Sequence, residues 1–311
     1  MSNSQNRSAA ENPLSPNGSA LSRPIKAIKL RHPWRTFFAV VIILIAALFI
    51  IDAAGRPAYD WPAVGKYVFD VRVIEAAFNT LQLTVYSMVI GIILGIILAV
   101  MRLSPNPIFK SVAWAYLWIF RGTPVYVQLV FWGLLAFIYQ SIDFGIPFMQ
   151  PWVSFKTTAA LNAFTLAVIG LALNEAAYMA EIVRAGILSV DKGQEEASKA
   201  LGMSWGQTMR RVTIPQAMRI IIPPTGNEVI SMLKTTSLVT AVPVSSDLYS
   251  RSRDISAETF NPIPMLLIAS TWYLVFTTVL MVGQYFLEKR FARGHTQVAY
   301  DVEPRIIGEG A

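Results

Sequence analysis

The chain contains no cysteine. That excludes a disulfide framework, a thiolate nucleophile and any cysteine-based metal site. It has only two histidines, His32 and His295, both in polar terminal stretches. No histidine base or histidine metal cluster can therefore sit within the apolar body. Charge is scarce, with 14% Asp, Glu, Lys and Arg against 54% hydrophobic residues. No Gly-x-x-x-x-Gly-Lys-Ser/Thr phosphate loop occurs, so ATP hydrolysis by this chain is not expected. No catalytic residue, metal ligand set or cofactor is assigned to it.

What the chain does have is apolar length. Mean hydropathy is +0.48 over 311 residues, the composition of a polytopic membrane protein. Charge-poor segments run 36–51, 77–101, 122–142, 157–174 and 259–287, with a weaker sixth near 224–246. With its flanks, each reaches the roughly 20 residues that cross a bilayer core. The expected fold is all-α with six transmembrane helices. The net charge of +7 is explained by topology rather than by nucleic-acid binding. With residues 1–35 inside, 19 of the 26 Lys and Arg fall on inside segments and 6 on outside ones. Both termini are then cytoplasmic by the positive-inside rule.

The organisation along the chain follows. Residues 1–35 read as a disordered basic tail ending at the interfacial anchor Trp34. Residues 36–52 form an N-terminal transmembrane helix, read as an uncleaved anchor because a signal peptide rarely carries so long a leading region. Residues 53–74 are an extracytoplasmic connector, 75–290 the main membrane body, and 291–311 a cytoplasmic tail. Gly91 and Gly95 have the spacing of a helix-packing face, though isolated glycines are also tolerated in membrane helices.

Several polar residues interrupt the apolar body. The stretch 108–142 would be about 52 Å long as one helix, and Arg121-Gly122-Thr123-Pro124 divides it, with Thr123 as a cap and Pro124 opening the second half. Arg121 either lines a polar pathway or is paired or snorkels at the inner interface. Glu181 and Arg184 share a helix face and should pair. Glu175 has no basic residue at helical neighbour spacing, so another span, a proton or a watery cavity must satisfy it. Asn227, Ser231 and Thr235 recur every four residues and can share one face, as pathway lining or as a subunit contact. Pro223-Pro224 should separate that span from the loop before it.

That loop, 193–217, is polar and sharply punctuated. Gly193, Gln194, Glu195, Glu196, Ala197, Ser198, Ala200 and Leu201 form one short helix, stopped at Gly202. Ser204 and Gln207 form a capping box, and Thr213 and Gln216 repeat it, with Pro215 in the first turn. The bland reading is an amphipathic loop on the membrane surface. The spacing Glu196-Ala197-Ser198, Gly202, Val212, Ile214, Pro215, however, resembles the EAA loop of ATP-binding-cassette importer permeases. Departures are mild: Ser198 for alanine, Val212 for isoleucine and Ile214 for leucine. Glu175-Ala176-Ala177 spells the same letters without the Gly and Pro spacing. Arg121-Gly122-Thr123-Pro124 followed by Gln128, the run Ala177-Tyr178-Met179-Ala180-Glu181-Ile182-Val183-Arg184-Ala185-Gly186-Ile187, and Lys234 with Thr236-Ser237-Leu238 are similar to the polar amino-acid branch.

The resemblance covers roughly residues 70–290. It implies a five-helix type I permease core plus one N-terminal helix, in the cytoplasmic membrane of a prokaryote. It implies uptake of polar amino acids, driven by ATP that a partner hydrolyses with Mg. The implied partners are a cytoplasmic ATPase dimer on the loop, a second permease chain (a copy or a relative), an extracytoplasmic solute-binding protein and membrane lipid. Candidate pathway residues are Arg121, Thr123, Gln128, Glu175, Tyr178, Asn227, Ser231 and Thr235. A self-gated channel or secondary transporter for small polar solutes fits the same hydropathy but gives no reason for the loop spacing.

Overall fold

The computed structural model describes residues 33–146, 149–243 and 246–291. The tail before residue 33, the tail after residue 291 and both histidines lie outside them. Residues 1–56 and 57–311 are two separate units. In the first, α1 is Pro33–Ala54, longer at both ends than the expected 36–52, and Arg56 closes it with a 2.7 Å ion pair to Asp52.

The second unit contains α2 (Trp61–Tyr67), α3 (Val71–Leu103), α4 (Pro107–Gly122), α5 (Val125–Gly133) and α6 (Leu135–Ile138), then a hairpin of β1 (Ser141–Phe144) and β2 (Val153–Lys156). There follow α7 (Thr157–Ala160), α8 (Ala163–Leu188), α9 (Lys192–Ala200), α10 (Trp205–Thr208), α11 (Ile214–Thr235), α12 (Leu248–Thr259) and α13 (Pro262–Phe291). Side-chain caps explain several starts: Asp70 accepts from Arg72 N–H, Asn106 from Ile108 N–H and Asn162 from Thr165 N–H.

Among the described residues, α1, α3, α8 and α13 are long and apolar enough to cross a membrane. The other two expected crossings take a different form. The stretch 108–142 is divided into α4, α5 and α6, so no single piece spans. The region 224–246 is the end of α11 followed by a 3-10 segment, Thr236–Ala241, and its Glu228 and Lys234 lower its hydropathy. Within the long helices, hydroxyls donate to carbonyls one turn back, as Thr80 to Ala76, Thr84 to Thr80 and Thr277 to Tyr273. Such bonds satisfy polar groups without water.

The core is built on α3 and α8, which run parallel. Gly91 lies against Ala172 and Glu175, and Gly95 against Ala176 and Met179. The glycine pair is thus a packing face, and the missing Cβ atoms allow the close approach. Leu83, Leu129, Leu171 and Val239 join α3, α5, α8 and the 3-10 segment. Val73, Leu248, Ile255 and Ile268 join α3, α12 and α13. Because α8 parallels α3, the hairpin before α8 and the short helix α9 after it lie at opposite ends of the body.

Two local expectations fail. A π-helical turn, Met209–Thr213, leads directly into α11, and Thr213 is helical with no side-chain cap bond. The Thr213–Gln216 box does not form because the helix has no terminus there to cap. Gln216 instead donates to Gln194 at 3.3 Å. Pro223-Pro224 does not separate span from loop, since α11 runs through both. Two backbone donors are lost, and α13 packs alongside, with Gln284 Nε2 donating to the Pro223 carbonyl at 2.8 Å.

Candidate functional site

The break between α4 and α5 is braced from inside. Gln128 Nε2 donates to Thr123 Oγ1 at 2.7 Å, to the Phe120 carbonyl at 3.0 Å and to the Thr123 carbonyl at 3.1 Å. Asn174 of α8 donates to the Phe120 carbonyl and to Gln128 Oε1, both at 3.1 Å. Carbonyls freed by the broken helix thus find side-chain donors. The expected cap is corrected. Pro124, not Thr123, occupies the N-cap position of α5, and no side-chain cap bond forms there. The Thr123 hydroxyl is committed elsewhere, donating to the Ile119 carbonyl and accepting from Gln128.

This braced break forms one wall of a cavity of about 560 Å³. Arg121, Thr123, Asn174, Glu175, Tyr178, Glu228, Ser231 and Thr235 supply its polar lining. Arg121 forms no ion pair among the described residues, and its guanidinium lies 5.5 Å from the centre of the Tyr178 ring. Glu175 is 4% exposed, its Cβ and Cγ seated over Gly91. Its Oε1 accepts no hydrogen bond from the protein. A buried acceptor left unsatisfied is costly, by about 1–3 kcal/mol and more when charged. Two carboxylates and one guanidinium facing a single space can hold a zwitterion that carries an extra cation.

The structure therefore brings together six of the eight candidate pathway residues, Arg121, Thr123, Glu175, Tyr178, Ser231 and Thr235. It leaves out two. Gln128 is buried beneath the break as a brace, and Asn227 is exposed and outside the cavity lining. Sequence reasoning passed over Asn174 and Glu228. The signal for Glu228 was present, since Glu228, Ser231 and Thr235 follow the three- and four-residue steps of one helix face. Below the cavity, Glu181 pairs with Arg184 at 2.7 Å, as expected, and with Arg102 at 3.8 Å.

The second candidate element is α9. Asp191 caps it by accepting from Gly193 N–H at 2.7 Å. Glu195 and Lys199 pair at 2.7 Å. Lys199 holds the Glu195 carboxyl below its usual range, and Glu195 raises the Lys199 ammonium. Glu196 makes no ion pair among the described residues. Ser198 is buried and donates to the Gln194 carbonyl. Ala197 and Ala200 are exposed, and Leu201 is 81% exposed. Gly202 sits at φ +75°, the left-handed conformation that glycine adopts at least cost. The Ser204–Gln207 capping box then forms in both directions and starts α10. Trp205 also faces outward, 71% exposed. The result is a capped helix with a free carboxylate and a small apolar face.

Membrane-length apolar helices around a cavity with polar lining, with a capped helix at one end, fit a membrane transport subunit. The family model described as binding-protein-dependent transport system inner membrane component matches residues 91–293, and the chain belongs to that family. It is 59% identical over 278 residues to the arginine transport system permease protein ArgU of Corynebacterium glutamicum, covering 89% of this chain and 86% of the relative. It is 36% identical to the arginine transport system permease protein ArtQ of Bacillus subtilis, covering 67% and 87% respectively. A crystal structure of an amino acid ABC transporter with histidines superposes with TM-score 0.59 at 35% identity, over 70% of this chain and 94% of that one. The MetNI methionine ABC transporter in an inward-facing conformation superposes with TM-score 0.55 at 17% identity, over 71% of this chain and 96% of that one, which shows the fold alone.

Proposed function

We propose that this chain is the membrane-spanning subunit of an ATP-driven amino-acid importer with a preference for cationic amino acids. The observation that carries the preference is the pair of carboxylates, Glu175 and Glu228, lining one cavity with Arg121. The arginine suits the α-carboxylate of an amino acid, and the carboxylates suit its amino and side-chain cations. Relatives are named for glutamine and L-cystine as well as for arginine, so membership alone does not fix the substrate. The test is ATP hydrolysis by the assembled transporter in lipid, with its solute-binding protein. Arginine and lysine should stimulate it, and glutamine and glutamate should not. Equal stimulation by glutamine would remove the cationic preference.

In this reading a separate cytoplasmic ATPase pair docks on α9, a second permease chain completes the pathway, and an extracytoplasmic binding protein delivers substrate. ATP and Mg act in the ATPase. Closure of the ATPase pair favours one of two membrane states, and α9 transmits that difference. Gly202→Val should disturb the stop, because a β-branched residue resists positive φ. Glu196→Lys should reverse a docking charge. Both variants are expected to insert normally and to lose ATPase co-purification or substrate-stimulated hydrolysis. Normal transport by both would show that coupling lies elsewhere.

The proposed location is the inner membrane with both termini cytoplasmic. With no native cysteine, single-cysteine labelling reads this directly. Lys66→Cys and Arg253→Cys should react with an impermeant maleimide on intact cells, and Lys199→Cys only after permeabilisation. Labelling of position 199 in sealed cells would reverse the orientation.

A further inference from the structure

The hairpin 141–156 takes no part in the cavity or in α9. Its register pairs Ile142 with Phe155 and Phe144 with Val153. Side chains alternate along a strand, so these four share one face, while Ser141, Asp143, Ser154 and Lys156 share the other. On the polar face Asp143 accepts from the hydroxyls of Ser141, at 3.1 Å, and Ser154, at 2.5 Å. On the apolar face the Phe144 and Phe155 rings meet edge to face at 6.4 Å. Both are exposed, and Trp152 at the end of the hairpin is 75% exposed.

A two-stranded hairpin is marginal in water unless its apolar face is covered. We infer that the apolar face of the hairpin lies in the membrane–water interface and anchors this end of the bundle to lipid. Three observations favour lipid over a protein surface. The polar face carries one acid and one base, and the acid is already engaged by two hydroxyls, so little charge remains to recognise a partner. Phe137 and Tyr139, at the base of the hairpin where Thr157 is tied, are exposed as well, so apolar surface extends beyond the hairpin at this end of the bundle. Tyrosine and tryptophan are the residues that favour this layer, with an apolar ring and a polar edge. The depth is limited too. Both hairpin edges present unpaired backbone groups, which need water and therefore cannot sink into the hydrocarbon. The base is tied by Thr157, whose N–H donates to the Gln140 carbonyl at 3.0 Å and whose hydroxyl donates to the Tyr139 carbonyl.

The test uses the full-length chain in phosphatidylcholine nanodiscs, without the binding protein. An environment-sensitive fluorophore is attached through Phe155→Cys or Phe144→Cys on the apolar face, and through Ser154→Cys on the polar face. A nitroxide carried near the lipid headgroup should quench positions 155 and 144 at least about twofold more than position 154, as expected for an amphipathic element lying in the interface. Aqueous iodide should show the opposite order. A nitroxide at the end of the acyl chain should quench all three weakly. Equal iodide quenching of both faces would overturn the anchor, because the face would be in water. Protection from iodide without quenching by the lipid-borne nitroxide would overturn it as well, because a protein surface would then cover the face.

Discussion

Replacing Gly95 by leucine should abolish assembly of the transporter. A Cβ at this position would stand 2.5 Å from Met179 Cβ and 3.1 Å from both the Ala176 carbonyl and the Ala180 nitrogen. Two of those three neighbours are backbone atoms, so no rotamer change makes room. The α3–α8 pair must separate, and the same separation loosens the contacts of Ala99, Met179 and Val183 with Ile221 of α11. Overpacking a tight site costs about 1–3 kcal/mol and sometimes more, a large part of a marginal total. Gly95→Ala already carries the offending Cβ and should be intermediate. Gly65→Ala is the control, because nothing lies within 4 Å of a Cβ there. The measurement is the yield and thermal midpoint of protein extracted in mild detergent. A Gly95→Leu variant with the midpoint of the parent would show that α3 and α8 do not approach this closely.

Glu175→Gln should cost the transporter its preference for cationic substrate while leaving assembly intact. The amide keeps the shape that fits over Gly91 and removes the charge. A hydrogen bond to a charged group contributes about 1.5–3 kcal/mol, so the concentration of arginine needed for half-maximal uptake should rise roughly ten- to hundredfold. Uptake of a neutral amino acid, if measurable, should not fall in parallel. Glu228→Gln should act in the same direction but more weakly, since Glu228 is less buried. If Glu175→Gln fails to co-purify with the ATPase, the carboxylate has a structural role instead. If arginine uptake is unchanged, its charge takes no part in selection.

Features decided within a few residues were legible in the sequence. Apolar length identified α1, α3, α8 and α13, four of the six expected crossings. Arg121 to Pro124 marked the helix break, because proline acts locally and disfavours helix at the residue before it. The stop at Gly202 and the Ser204–Gln207 box follow from glycine at φ +75° and from a side chain reaching three residues along its own chain. Glu181 and Arg184 paired for the same reason. Long-range features were not legible. Pro223-Pro224 reads as a break, yet α11 runs through both prolines, packed against α8 and α13. Thr213 and Gln216 spell a capping box, yet the π turn before them leaves no helix end to cap. Asn227 fits the four-residue row with Ser231 and Thr235, but Glu228 lines the cavity in its place and Asn227 is exposed. The sequence by itself determined the helix break at Arg121–Pro124, the stop at Gly202 and the start at Ser204, because those depend on neighbours along the chain. Only the tertiary structure decided which polar groups meet in one cavity, because that depends on how closely glycines let distant helices approach.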